Sequence, residues 1–159
     1  MKLPKWVYEL AEKVLIDSIG YPTVAGRDYD EITSYYRDLL KDYGVHVTVH
    51  KVPSDYIRKH LPSHANPDKP RYILVARIGS GERVLQFNGH YDVVEPGSGW
   101  SVTEPFKAKR VNDRIYGRGA CDMKSGIACF LSAIAYLAST HEPRDHVVEA
   151  VLVLSLIHI

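Results

Sequence analysis

The chain has 159 residues, 45% of them apolar and 25% charged, with a formal net charge of +1. That is enough apolar chain for one globular domain with a sizeable core, and a charge so near zero gives no electrostatic basis for binding nucleic acid or an anionic membrane. The densest basic knot, Lys107, Lys109 and Arg110, reads as a solvated loop, and no apolar stretch approaches the roughly 18 residues of a membrane span.

The opening "MKLPKWVYELAEKVLIDSIG" is amphipathic, with Val7, Leu10 and Val14 at helical spacing, so it reads as a helix over 4–18 rather than a signal peptide. After the loop "GYPTVAGRD", Asp28 and Glu31 resemble a capping box. The helix they open has an apolar face of Ile32, Tyr35, Tyr36, Leu39, Leu40 and Tyr43, and Gly44 is its expected stop. "VHVTVHKV" (45–52) alternates as a half-buried strand. The polar segment 53–70 holds four prolines and reads as a long connection with a helical turn at 55–60.

Two apolar runs follow, "YILVARI" (72–78) and "RVLQFNG" (83–89), and the "GSGE" between them predicts a hairpin. "EPGSGWSVTEPF" is loop, and "VNDRIYGRG" predicts a short strand or turn. Residues 124–139 predict a helix with Ile127, Phe130, Leu131, Ile134 and Leu137 on one face. "HVVEAVLVLS" suits a buried central strand. Helices interleaved with buried strands argue for an α/β sandwich with a mixed sheet, in which ligands sit beyond the carboxyl ends of strands. The only cysteines, Cys121 and Cys129, are eight apart, with Cys129 on the predicted helix. A helix rises about 1.5 Å per residue, so a disulfide between them would be badly stretched. Two free thiols point to a reducing compartment, most simply the cytoplasm.

Two motifs carry chemistry. In "GHYDVV" (89–94), side chains two apart on extended backbone share a side, so His90 and Asp92 face one region. An imidazole ligand usually gives its second N–H to a carboxylate or carbonyl; an ordinary polar turn explains the triplet equally simply. In "YGRGACDMKSG" (116–126), a dinucleotide loop would need glycine at 122. Asp122 stands there and would repel a pyrophosphate. It suits a cation, or it caps the following helix.

Together, "LQFNGHYDVV", Trp100, Pro105 and Phe106 in the intervening loop, and "YGRGACDMKSGIA" about 30 residues later resemble one family. It is the co-catalytic di-zinc metallopeptidases and amidohydrolases that include acetylornithine deacetylase, succinyl-diaminopimelate desuccinylase, aminoacylase and glutamate carboxypeptidases. The resemblance implies a three-layer sandwich catalytic domain, of which 1–159 would be the N-terminal part. It implies His90 as ligand to one metal, Asp122 bridging two, and Asp92 as catalytic partner behind His90. It implies a cis peptide at Asp122–Met123, and two Zn2+ ions, or Co2+ or Mn2+, activating water against the amide of a small peptide or N-acyl amino acid. Ser125 stands where relatives usually have glycine.

In relatives the strand matching "VVEAVLVL" runs into a Glu-Glu pair of base and ligand; here Ile157 and His158 stand in "SLIHI". That abrupt ending reads as an interrupted frame. Further ligands, a dimerisation domain and a homodimer are expected downstream. Two ligands hold no zinc tightly, so the chain as written is expected to be a poor enzyme, prone to aggregate near its C-terminus. The alternative is a non-catalytic binding or assembly domain that keeps the fold. His46, His50, His60, His64, His141 and His146 read as surface histidines.

Overall fold

The computed structural model describes residues 2–60, 68–140 and 145–154. Helix α1 (Lys5–Ile19) buries Val7, Leu10, Val14, Ser18 and Ile19 on one stripe, as its spacing predicts. Helix α2 (Tyr29–Asp42) buries Ile32, Tyr36 and Leu40, while Tyr35, Leu39 and Tyr43 pack at the margin of the same core. The expected capping box does not form. Asp28 lies at φ 51°, ψ 25°, and its carboxylate makes no bond to the first turn. Aspartate tolerates that left-handed backbone, so here it shapes the entry of the loop instead.

Strand β1 (His46–Lys51) and the short helix α3 (Ser54–His60) follow, then β2 (Tyr72–Gly79) and β3 (Arg83–His90). Lys109–Val111 (β4) and Arg114–Tyr116 (β5) make a small hairpin, turning at Asn112, which has φ 56°. The basic knot is therefore not a free loop. Lys109 and Arg110 sit on β4, and the Arg110 guanidinium grips both oxygens of Glu12 on α1 at 2.7 and 2.9 Å. An irregular turn, Ala120–Lys124, leads into α4 (Ser125–Thr140), and β6 (His146–Val153) ends the described chain.

The sheet order is β1-β2-β6-β3. β2 runs antiparallel to β1 and β6, and β3 runs parallel to β6. The predicted β2–β3 hairpin is thus overturned. β6 inserts between the two strands, because its near-continuous apolar run is most fully buried with a neighbour on each side. The link can still be short. Two strand spacings are about 10 Å, within reach of the few residues from Gly79 to Arg83. Gly81 takes φ 126° and passes so close to β6 that an added Cβ would lie 2.5 Å from the Asp145 main chain.

Leu74, Ala76, Ile78, Val148, Ala150 and Leu152 face the helices and form one cluster with α1, α2 and α4. The result is a mixed α/β sandwich. On the opposite face, β6 residues Glu149, Val151 and Val153 are only half-buried. Ala120–Thr140 taken as one helical stretch has 21 residues and a mean hydropathy of 1.3, long and apolar enough by composition to cross a bilayer, against the sequence expectation. Its apolarity is spent in the core: Ile127, Leu131 and Ile134 are fully buried there.

Candidate metal centre

The candidate site lies where the parallel pair β3 and β6 ends. Gly89 faces α4, where a Cβ would meet Ile127 and Phe130 at 3.0 Å. His90, next along, therefore points to the opposite face. Tyr91 continues the ladder, its N–H donating to Val153 O at 3.1 Å, and is fully buried. Its hydroxyl donates to Tyr72 O at 2.8 Å, and burial pushes its phenol well above the usual range. Strand geometry thus delivers His90 and Asp92 to one side, with Tyr91 as anchor between them.

Asp122 arrives from the other motif. Gly119 takes φ 85°, and its missing Cβ would lie 2.7 Å from Val93 Cγ1. The close approach of the turn to the first motif therefore needs glycine at 119. The Asp122–Met123 peptide is cis, as the resemblance implies. Asp122 has extended dihedrals, φ −129° and ψ 99°, and stands three residues before α4 begins at Ser125.

The two motifs converge. His90 Nε2 lies 2.9 Å from Asp122 Oδ1. The other ring nitrogen, Nδ1, lies 3.1 Å from the Asp92 carbonyl oxygen and 3.5 Å from its carboxylate. Both ring nitrogens face oxygen acceptors; with a cation between Nε2 and Asp122, the proton would stay on Nδ1, facing Asp92. That is the tautomer a metal-bound imidazole needs. Two ligands on one zinc, each about 2.0–2.1 Å away at the tetrahedral angle, stand roughly 3.3 Å apart. The observed 2.9 Å requires only a slight opening. Donor chemistry and separation therefore fit a divalent cation. Among the described residues, no group of three or more His, Cys, Asp or Glu gathers at one point. Asp92 is 5% exposed, whereas the Asp122 carboxylate faces an open cleft of about 560 Å³ that His90, Trp100, Arg118 and Cys121 also line.

Arg118 shapes that cleft. Its guanidinium lies 5.4 Å over the Trp100 ring and donates to Pro96 O at 2.9 Å. Its own N–H donates to Pro105 O at 2.6 Å. The loop residues Trp100 and Pro105 are thereby tied to the turn that bears Asp122.

The sequence profile described as peptidase family M20/M25/M40 matches residues 86–153, both motifs included. A succinyl-diaminopimelate desuccinylase of Rickettsia massiliae (strain Mtu5) is 39% identical over 121 residues, 75% of this chain and 29% of that protein. One from Gluconobacter oxydans (strain 621H) is 51% identical over 76 residues, 48% of this chain and 19% of that one. Over residues 86–153 the chain is similar to peptidase family M20/M25/M40. It spans under a third of the length of these curated M20 relatives. Solved structures share the fold. The di-peptidase Dug1p of Saccharomyces cerevisiae superposes with a TM-score of 0.72 at 18% identity, over 94% of this chain and 32% of that one. Human carnosine dipeptidase 1 gives 0.63 at 17% identity, over 94% and 33%. M20 proteins are typically metal-dependent hydrolases.

Cys121 and Cys129 are free and exposed. His46, His50 and His60 are exposed, and His146 is held by Asp145 at 2.7 Å. His64, His141, Ile157 and His158 lie outside the described residues. Sequence reasoning missed Lys124. It is fully buried, and burial pulls its ammonium down to about 7, against opposing attraction from Asp28 and Asp92. A signal existed: 124, 127, 128 and 131 share one helical face, so a lysine stood in an apolar stripe.

Proposed function

We propose that residues 1–159 form the N-terminal part of a catalytic domain that hydrolyses an amide bond, in a small peptide or an N-acyl amino acid, with metal-activated water. The observation that carries this reading is the 2.9 Å approach of His90 Nε2 to Asp122 Oδ1, with Asp92 behind the ring. His90 and Asp122 would hold the metal, Zn2+ with Co2+ or Mn2+ as substitutes. Bound there, the metal would lower the pKa of a water and polarise the substrate carbonyl. Asp92 keeps the proton of His90 on Nδ1 and so keeps Nε2 free to bind. Asp122 offers two carboxylate oxygens to the cleft, enough to bridge two ions.

The desuccinylase and dipeptidase names of the relatives support an amide substrate. A full ligand set needs about three protein groups per catalytic zinc, so activity of this chain alone would be low or nil. Two exposed thiols support a reducing, cytoplasmic setting, and the whole protein would be a homodimer acting on small molecules.

Calorimetric titration with Zn2+ tests the reading. The expected result is weak binding by the chain, lost in both His90→Ala and Asp122→Ala and kept in the exposed-histidine control His46→Ala. Asp92→Ala should weaken binding by about 10- to 100-fold. Zinc affinity unaffected by His90→Ala would remove the site.

A further inference from the structure

The two motif segments are not tied only to each other. Both are bonded to one loop, the connection from the end of α1 towards α2. On one side, the buried Lys124 ammonium donates to Ser18 O at 2.7 Å and to Tyr21 O at 2.8 Å. On the other, Thr23 Oγ1 donates to Tyr91 O at 2.7 Å, and the Val93 N–H donates to Thr23 O at 2.9 Å. Lys124 and Thr23 are both 0% exposed. Thr23 thus straddles Asp92, gripping the residue before it and the residue after it. Lys124 stands two residues past Asp122, and its own N–H is bonded back to Gly119 O at 2.9 Å.

Satisfying carbonyls does not explain the lysine. Ser18 O already accepts from the Tyr21 N–H at 3.2 Å, and Tyr21 O from the Thr23 N–H at 2.8 Å. A buried ammonium is costly to desolvate, and an apolar residue of similar length would fill the same space. What the ammonium adds is a directional tether between the Asp122 turn and the loop that Thr23 bonds to the His90–Asp92 segment. The stem lies against Gly119, where an added Cβ would be 3.0 Å from Lys124 Cδ and 2.7 Å from Val93 Cγ1. Loop, turn and strand exit therefore meet in one packed knot beneath the site.

We infer that Lys124 and Thr23 are positioning residues: through Ser18–Thr23, the end of α1 and the loop after it, they clamp both motif segments to a common frame and set the separation of His90 from Asp122. The use made of that separation rests on the metal reading above. The clamp itself does not.

Amide hydrogen exchange by NMR and Co2+ titration of the 159-residue chain test this in two arms. In the metal-free exchange arm, Lys124→Met should speed exchange of the Val93 amide, and Thr23→Val that of the Lys124 amide. Ala150 and Leu152 in the central strand should stay protected, and Thr23→Ser should match the wild type. In the second arm, Lys124→Met and Thr23→Val should weaken Co2+ binding by about 10- to 100-fold and shift its visible absorption, while Thr23→Ser restores both. Unchanged Val93 and Lys124 exchange in folded variants would overturn the clamp. Faster exchange with wild-type Co2+ affinity and spectrum would overturn the positioning role. Should Lys124→Met not fold, Thr23→Val and Thr23→Ser decide alone. A wild-type chain that binds no Co2+ would count against the metal reading and leave the exchange arm to judge the clamp.

Discussion

At the scale of single residues, the site depends on small groups in tight places as much as on the groups that would touch a metal. Gly119 is one such position. An alanine there would meet Val93 and Lys124 and hold a left-handed backbone at φ 85°. The left-handed conformation alone costs roughly 1–2 kcal/mol for a residue with a Cβ. Gly119→Ala is therefore expected to lower urea stability by at least that amount and to weaken metal binding with it. Tyr91 is a second. Its hydroxyl is buried and donates to Tyr72 O, so Tyr91→Phe leaves that carbonyl without its donor at a cost of about 1–3 kcal/mol. Denaturant midpoints should show the loss. His90 and Asp122 were legible as chemistry in the sequence because their residue types and neighbours form motifs. Lys124 was marked only as a lysine within an apolar helical stripe, and Thr23 not at all, because a hydrogen bond to a distant main-chain oxygen leaves no mark on local pattern.

At the scale of elements, periodicity served well wherever burial has one direction. The apolar stripes of α1, α2 and α4 appear where their spacing put them. Leu131 on α4 is fully buried within the single core, so Leu131→Ala should cost about 2–5 kcal/mol by thermal or urea unfolding. The failures came where two signals competed. Asp28 and Glu31 have the types of a capping box, but the backbone at Asp28 is left-handed and the cap bond is not made. "GSGE" has the chemistry of a tight turn, but the strands it joins are each paired to β6. Turn residues report that the chain bends. They do not report which strand it bends towards.

For the whole molecule, the sheet ends on β3 among the described residues, and that edge is apolar: Val84 is 52% and Leu85 53% exposed. An exposed hydrophobic edge strand is a template for pairing with another chain. The aggregation expected near the C-terminus assumed that the buried strand there lacks neighbours; β6 is paired on both sides, by β2 and β3, so the exposed edge lies on β3 instead. Leu85→Lys should raise the soluble monomer fraction in light scattering and leave Zn2+ binding unchanged, since Leu85 lies well before His90 on the strand. The sequence by itself determined the α/β class, the helical stripes, the buried run of β6 and the two motifs, because each is written in the types and spacing of neighbouring residues. Only the tertiary structure decided that β6 enters between β2 and β3, that residues 32 apart in sequence approach to 2.9 Å, and that one loop is bonded to both motif segments. Local periods of 2 and 3.6 say which side of an element is buried; they carry no information about which distant segment does the burying.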